Sequence, residues 1–189
     1  MDEWLSPQTV LQGIYKGIFP MADAEESGRI DWYEPELRGI IPLDGLKVSS
    51  SLRNILNRNK FEIKVDTSFE EVVRKCGETR EQTWISEQIV ETYCGLHHMG
   101  FAHSVEVFEN KKLVGGLYGV AVKRLFSGES MFHLVPNASK VALYYLVKLL
   151  NNNDFTLLDT QYINPFLQQM GGIEIEKEEY LKRLEEAVA

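Results

Sequence analysis

Apolar and polar residues alternate strictly over Phe61-Glu62-Ile63-Lys64-Val65, and the same period of two returns at His103–Phe108. Such alternation predicts strands with one face buried. Residues 113–122 and 125–132 read as two further strands, with a turn at Asn110-Lys111 and a bulge or close approach at Gly115-Gly116. Helical spacing takes over elsewhere. Ser6-Pro7 supplies an N-cap and N1 proline for a helix apolar at Val10, Leu11 and Ile14, ended by Gly17. Ser49 to Asn59 forms a second helix. Ser68-Phe69-Glu70-Glu71 reads as a capping box opening a third, to about Cys76. Ser86 caps a longer one with Ile89, Val90, Tyr93 and Leu96 on one face, closed by Gly100. Asn137 opens a helix with Val141, Ala142, Tyr145, Leu146 and Leu149 at helical spacing. A strand at 155–161 and helices near 165–170 and 177–187 complete the pattern. Residues 18–44, with Pro20, Pro35 and Pro42 and an acidic run from Asp23 to Asp31, are expected to be irregular. A meander followed by a helix and a strand is an α+β layout, with helices covering a mainly antiparallel sheet.

The 189 residues, 44% hydrophobic and 25% charged, describe a globular chain of one ordinary domain with a small addition. No apolar run reaches the roughly 18 residues of a membrane span, and the acidic N-terminus lacks a leader pattern, so a cytoplasmic location is expected. Cys76 and Cys94, both in helical stretches, read as a reduced, buried pair. The net charge of −8 argues against general nucleic-acid affinity. Its distribution qualifies this. Residues 45–64 carry Lys47, Arg53, Arg58, Lys60 and Lys64 against Glu62 alone, a net of +4 that leaves −12 elsewhere. That segment is either a solvated face or a local dock for a phosphate strand.

Two polar insertions stand out within apolar runs. One is Glu129, inside Phe126-Ser127-Gly128-Glu129-Ser130-Met131-Phe132; the other is Asp159-Thr160-Gln161 at the end of a strand. Burying such groups without partners costs a few kcal/mol, so they either satisfy one another or face a ligand. With period two, Leu125, Ser127, Glu129 and Met131 share one face, and so do Phe155, Leu157, Asp159 and Gln161. Glu129 is a candidate anchor for a cation, the alternative being an internal salt bridge. Asp159 and Gln161 can together orient an amine, or else hydrogen-bond to a following loop. Trp84, Tyr93, Phe126 and Phe132 are core aromatics or the walls of an apolar pocket. His97, His98, His103 and His133 lack metal-ligand spacing and are expected to be satisfied or exposed. No glycine-spaced pyrophosphate loop follows the 125–132 strand, which argues against an acyl-CoA user.

Eight segments in order resemble the leucyl/phenylalanyl-tRNA–protein transferases: Gly17-Ile18-Phe19-Pro20; Trp32-Tyr33-Glu34-Pro35 with Arg38; Thr83-Trp84-Ile85; residues 100–107; residues 113–120; the 126–132 run; Asn137-Ala138-Ser139-Lys140; and Asp159-Thr160-Gln161. The resemblance implies a small N-terminal domain, residues 1–37, and an N-acetyltransferase-like domain, residues 38–189. It implies transfer of leucine, phenylalanine or sometimes methionine from tRNA to proteins beginning with arginine or lysine. Such proteins are thereby marked for N-degron proteolysis, with no metal or organic cofactor. By the same resemblance Gln161 bonds the attacking amine, Asp159 polarises or orients Gln161, and Glu129 anchors bound substrate through a cationic group. Trp84, Tyr93, Met131, Leu143, Leu117 and Leu146 form the apolar pocket, and Lys47, Arg53, Arg58, Lys60 and Lys64 meet tRNA phosphates. The expected state is a monomer. Leu117 and Leu146 stand where methionine and phenylalanine are common, and Met21 where tryptophan is. The competing reading is a non-catalytic binder of basic N-termini or tRNA 3′ ends.

Overall fold

A computed structural model describes residues 5–22, 30–79 and 85–189. In chain order they form α1 (Pro7–Tyr15), β1 (Phe19–Ala22), β2 (Ile30–Tyr33), β3 (Leu37–Ile40), α2 (Ser50–Asn57) and β4 (Glu62–Val65). Then follow α3 (Phe69–Glu78), α4 (Glu87–His98), β5 (Ala102–Glu109), β6 (Lys112–Val122), β7 (Leu125–His133) and α5 (Ala138–Asn152). The chain ends with β8 (Leu157–Gln161), α6 (Pro165–Gln169), β9 (Ile173–Glu176) and α7 (Lys177–Val188). The local signals explain most of these. Ser6 accepts from the Thr9 N–H and Thr9 reciprocates, a full capping box. Asn110 and Lys111, both at positive φ, make the tight turn between β5 and β6.

One seven-stranded sheet organises the chain, in the order β4-β5-β6-β7-β8-β3-β9, beside a two-stranded β1-β2 ribbon. Among the described residues every strand pairing is antiparallel except β7 with β8. Two apolar layers sandwich the large sheet. One joins it to α1, α3, α4 and α7 through residues such as Val10, Val72, Ile89, Tyr93 and Leu184. The other joins it to α2, α5 and α6 through Leu52, Val141, Leu143, Leu146 and Leu167. Among the described residues no helix is long and apolar enough to cross a membrane.

Three expectations are corrected. The described part of 18–44 is not irregular: it contains β1, β2 and β3, and β3 fills the gap between β8 and β9, while residues 23–29 of the acidic run lie outside the described residues. Short strands interrupted by proline carry too little alternation to announce themselves, and it is their sheet partners that fix them. Ser68 precedes α3 but makes no side-chain cap bond. The fully buried Glu106 of β5 does that work, accepting from the N–H groups of Thr67 (2.9 Å) and Ser68 (2.7 Å) and from the Thr67 hydroxyl. A carboxylate at a helix N-terminus is stabilising there. Cys76 is buried as expected, whereas Cys94 is only half-buried; among the described residues neither forms a disulfide. His97 and His103 are satisfied by Ala102 and Asp66.

Candidate active site

The site arises where β7 and β8 separate. Their parallel pairing covers Leu125↔Leu157, Phe126↔Leu158 and Ser127↔Asp159 and then stops. Beyond it lies a cavity of about 210 Å³, bounded on one side by residues 128–131 and on the other by Thr160, Gln161 and Tyr162. Leu143 and Leu146 of α5 and Leu117 of β6 form its apolar floor. This is below the roughly 300–1,000 Å³ of clefts for drug-sized ligands, and it suits one large side chain.

A β-bulge aims Glu129 into this space. In the β6–β7 ladder Tyr118 faces Ser130 and Gly119 faces Gly128, so Glu129 is the extra, unpaired residue. The bulge also inverts the strand's alternation. Before it, Leu125 lies in the layer of α4 and Phe126 in that of α5; after it, Phe132 joins the former and Met131 the latter. The strict period that put Met131 on the face of Glu129 therefore fails at Glu129 itself. Among the described residues Glu129 has no salt bridge. Its Oε2 accepts from the Tyr93 hydroxyl at 2.8 Å, and the Ser127 hydroxyl lies 3.5 Å from Oε1. Burial pushes the Glu129 carboxyl up to about 7, opposed by the Tyr93 hydrogen bond; the charge of Asp159 adds to the rise and that of Arg38 opposes it.

Gln161 closes the opposite wall. Its backbone adopts φ 59°, uncommon for a residue with a side chain. Its Nε2 donates to the Ser127 hydroxyl at 3.0 Å. Gly39, paired with Gln161, makes room for the next turn: a Cβ there would lie 2.7 Å from the carbonyl carbon of Tyr162. Asp159 does not line the cavity. It is 1% exposed and is held by Arg38, Tyr180 and the Gln161 N–H.

The fold thus gathers Glu129, Gln161, Met131, Leu143, Leu117 and Leu146 around one cavity and leaves Asp159 behind it. Tyr93 is corrected. It is a fully buried core ring, packed edge-on against Tyr118 at 5.4 Å, and reaches the site only through its hydroxyl. Trp84 lies outside the described residues. Of the basic set, Lys47, Arg53 and Arg58 are exposed and make no ion pair among the described residues, but Lys60 pairs with Glu109 at 3.1 Å and Lys64 with Glu62 at 3.5 Å. None of the five lines the cavity. Sequence reasoning missed Tyr162 and Asn164 as lining residues, Ser127 as the partner of the Gln161 amide, and Arg38 and Tyr180 as partners of Asp159. The one available signal was an arginine, Arg38, in an otherwise apolar Leu37–Ile41 stretch.

Among the described residues, a mainly antiparallel sheet that parts beside its one parallel pair, with a helix across one face, defines the N-acetyltransferase-like fold. In keeping with this, the glucosamine N-acetyltransferase region of a fungal multi-domain β-N-acetylglucosaminidase superposes with a TM-score of 0.50 at 11% identity, over 89% of this chain and 22% of that one. The family model described as leucyl/phenylalanyl-tRNA protein transferase matches residues 40–185, and that of its N-terminal domain matches residues 4–36. Relatives named leucyl/phenylalanyl-tRNA–protein transferase from Chlorobaculum parvum and Herpetosiphon aurantiacus are 46% and 48% identical. The first alignment covers 96% of this chain and 95% of the relative; the second covers 100% and 97%. The chain belongs to the leucyl/phenylalanyl-tRNA–protein transferase family, a family of aminoacyltransferases.

Proposed function

We propose that this protein moves leucine or phenylalanine, and to some extent methionine, from its tRNA ester to the α-amine of proteins beginning with arginine or lysine, marking them for N-degron proteolysis. The carrying observation is the placement of Glu129 and the Gln161 amide on opposite walls of one apolar cavity. The amino-acid side chain enters the cavity, floored by Leu117, Leu143 and Leu146, and its ester carbonyl lies at the mouth. The acceptor amine attacks that carbonyl. A C–N bond forms, the ester C–O bond breaks, and the amine's proton ends on the released ribose hydroxyl. Gln161 uses Nε2 on Ser127, which leaves its Oε1 free to accept from the attacking amine. An amide is no base, and none of strength is needed. An α-amine with pKa near 7.7 is already partly neutral at pH 7, so orientation supplies much of the rate.

Glu129, without a cationic partner among the described residues, anchors a positive group of the bound substrates. Lys47, Arg53 and Arg58 meet backbone phosphates of the tRNA without reading bases; Lys60 and Lys64 do so only after leaving Glu109 and Glu62. The test is transfer from several charged tRNAs to Arg-, Lys- and Ala-initiated peptides. Transfer of Leu and Phe to the first two is expected. Binding of such peptides without transfer from any charged tRNA would sink the catalytic reading and leave a binder of basic N-termini.

A further inference from the structure

Asp159 is enclosed and fully occupied. Its Oδ1 accepts from Arg38 Nε and from the Gln161 N–H, each at 2.9 Å. Its Oδ2 accepts from Arg38 Nη2 at 2.6 Å and from the Tyr180 hydroxyl at 2.8 Å. A carboxylate offers about four acceptor positions, and all four are used. Such a group does not take a proton from an incoming amine. What it does is hold Gln161, whose left-handed backbone is unfavourable for a residue with a side chain and persists only where its surroundings over-determine it.

Arg38 is 3% exposed and comes from β3, while Tyr180 comes from α7. The guanidinium lies between the rings of Phe19, at 4.7 Å, and Tyr180, at 4.4 Å. Its Nη1 donates to the carbonyl of Gly17 at 2.8 Å. Gly17 has φ 75°, and a Cβ there would lie 2.8 Å from Leu181, so the turn supplying that carbonyl is seated directly on α7. Burial alone would lower the Arg38 pKa; the hydrogen bonds and charge of Asp159 outweigh it and raise the pKa. Burial, then the charge of Asp159, raises that of Tyr180, which keeps its hydroxyl a donor at every working pH.

We infer that Arg38 and Tyr180 are positioning residues: acting through Asp159, they fix the backbone and side-chain amide of Gln161 against Ser127, so that turnover depends on the seating of the Gly17 turn and α7 behind the site. This rests on the transferase reading above. The N-terminal turn and the C-terminal helix, both remote from the cavity in sequence, then belong to the machinery of transfer.

Two variants test it. Tyr180→Phe removes one hydroxyl and no charge. Arg38→Lys keeps the charge but loses the planar fork. The expected outcome is a kcat about tenfold lower for Tyr180→Phe and about a hundredfold lower for Arg38→Lys, each with KM for charged tRNA and for acceptor peptide within about twofold. In ¹⁵N spectra of both variants the backbone and side-chain amide signals of Gln161 should move. Wild-type kcat in both, or losses that track the unfolded fraction while the Gln161 signals stay in place, would overturn the inference. Should Arg38→Lys fail to fold, Tyr180→Phe decides alone. If the wild-type protein transfers nothing, the transferase reading falls, and the Gln161 signals of Tyr180→Phe still decide the positioning role.

Discussion

The hydroxyl of Tyr93, a ring buried in the core beneath α4, donates at 2.8 Å to the carboxylate of Glu129, which faces the cavity. Burial and the neighbouring carboxylate push the Tyr93 phenol far above its usual range, so it stays protonated and remains a donor. A hydroxyl from the core thereby opposes the rise that burial imposes on the Glu129 carboxyl.

Removing that donor has a directional consequence. The Tyr93 bond lowers the Glu129 pKa, so Tyr93→Phe should raise it further above about 7. If ionised Glu129 anchors a cation, the acid limb of kcat/KM against pH should shift to higher pH in Tyr93→Phe. Profiles measured between pH 5.5 and 9 check this, and coincident limbs would refute it.

Stability should move oppositely to activity at Glu129. Its carboxyl is pushed up to about 7 in the fold against 4.5 for an ordinary glutamate, so between these values the native state holds more protons than the unfolded one. Stability contributed by this group therefore falls as pH rises from about 4.5 to 7 and stays low above, by an amount on the order of 3 kcal/mol. Glu129→Gln should then be more stable than wild type at pH 8, nearly equal at pH 4.5, and much less active. Urea unfolding at the two pH values gives the comparison.

Cavity shape should govern the choice of amino acid. Leu146 is 3% exposed and lines the floor. Leu146→Phe should lower kcat/KM for phenylalanyl-tRNA about tenfold relative to leucyl-tRNA, within the range that small volume changes produce in apolar pockets. Competition between the two charged tRNAs measures the ratio.

The basic face should not act uniformly. Arg53→Ala and Arg58→Ala each remove an exposed cation that makes no ion pair among the described residues, whereas Lys60→Ala removes one already paired with Glu109. Each arginine change should weaken tRNA binding and reduce the salt slope by about 1. Lys60→Ala should do less of both. Binding isotherms at several salt concentrations separate them.

Hydrophobic period alone placed the meander at 102–133, α5 and β8, because long, regular elements carry their own burial pattern. It also marked Glu129, Asp159 and Gln161 as polar intruders in apolar runs. Their family likeness supplied roles that residue types cannot. Periodicity did not place β3, whose Leu-Arg-Gly-Ile lacks strict alternation, or β9, whose Ile-Glu-Ile-Glu alternates over only four residues, since strands this short are defined by their neighbours. It failed also at Met131, because a bulge is a relation between two strands and leaves no mark in one.

What the sequence by itself determined, then, was the longer elements and the cost of leaving three polar groups unsatisfied. Only the tertiary structure decided how that cost was met: Asp159 by Arg38 and Tyr180, which lie 121 and 21 residues away, Gln161 by Ser127, and Glu129 incompletely, by Tyr93 at the lip of a cavity. The reason is physical. Periodicity is local, whereas desolvation is settled by whichever donors the completed fold brings within hydrogen-bonding distance.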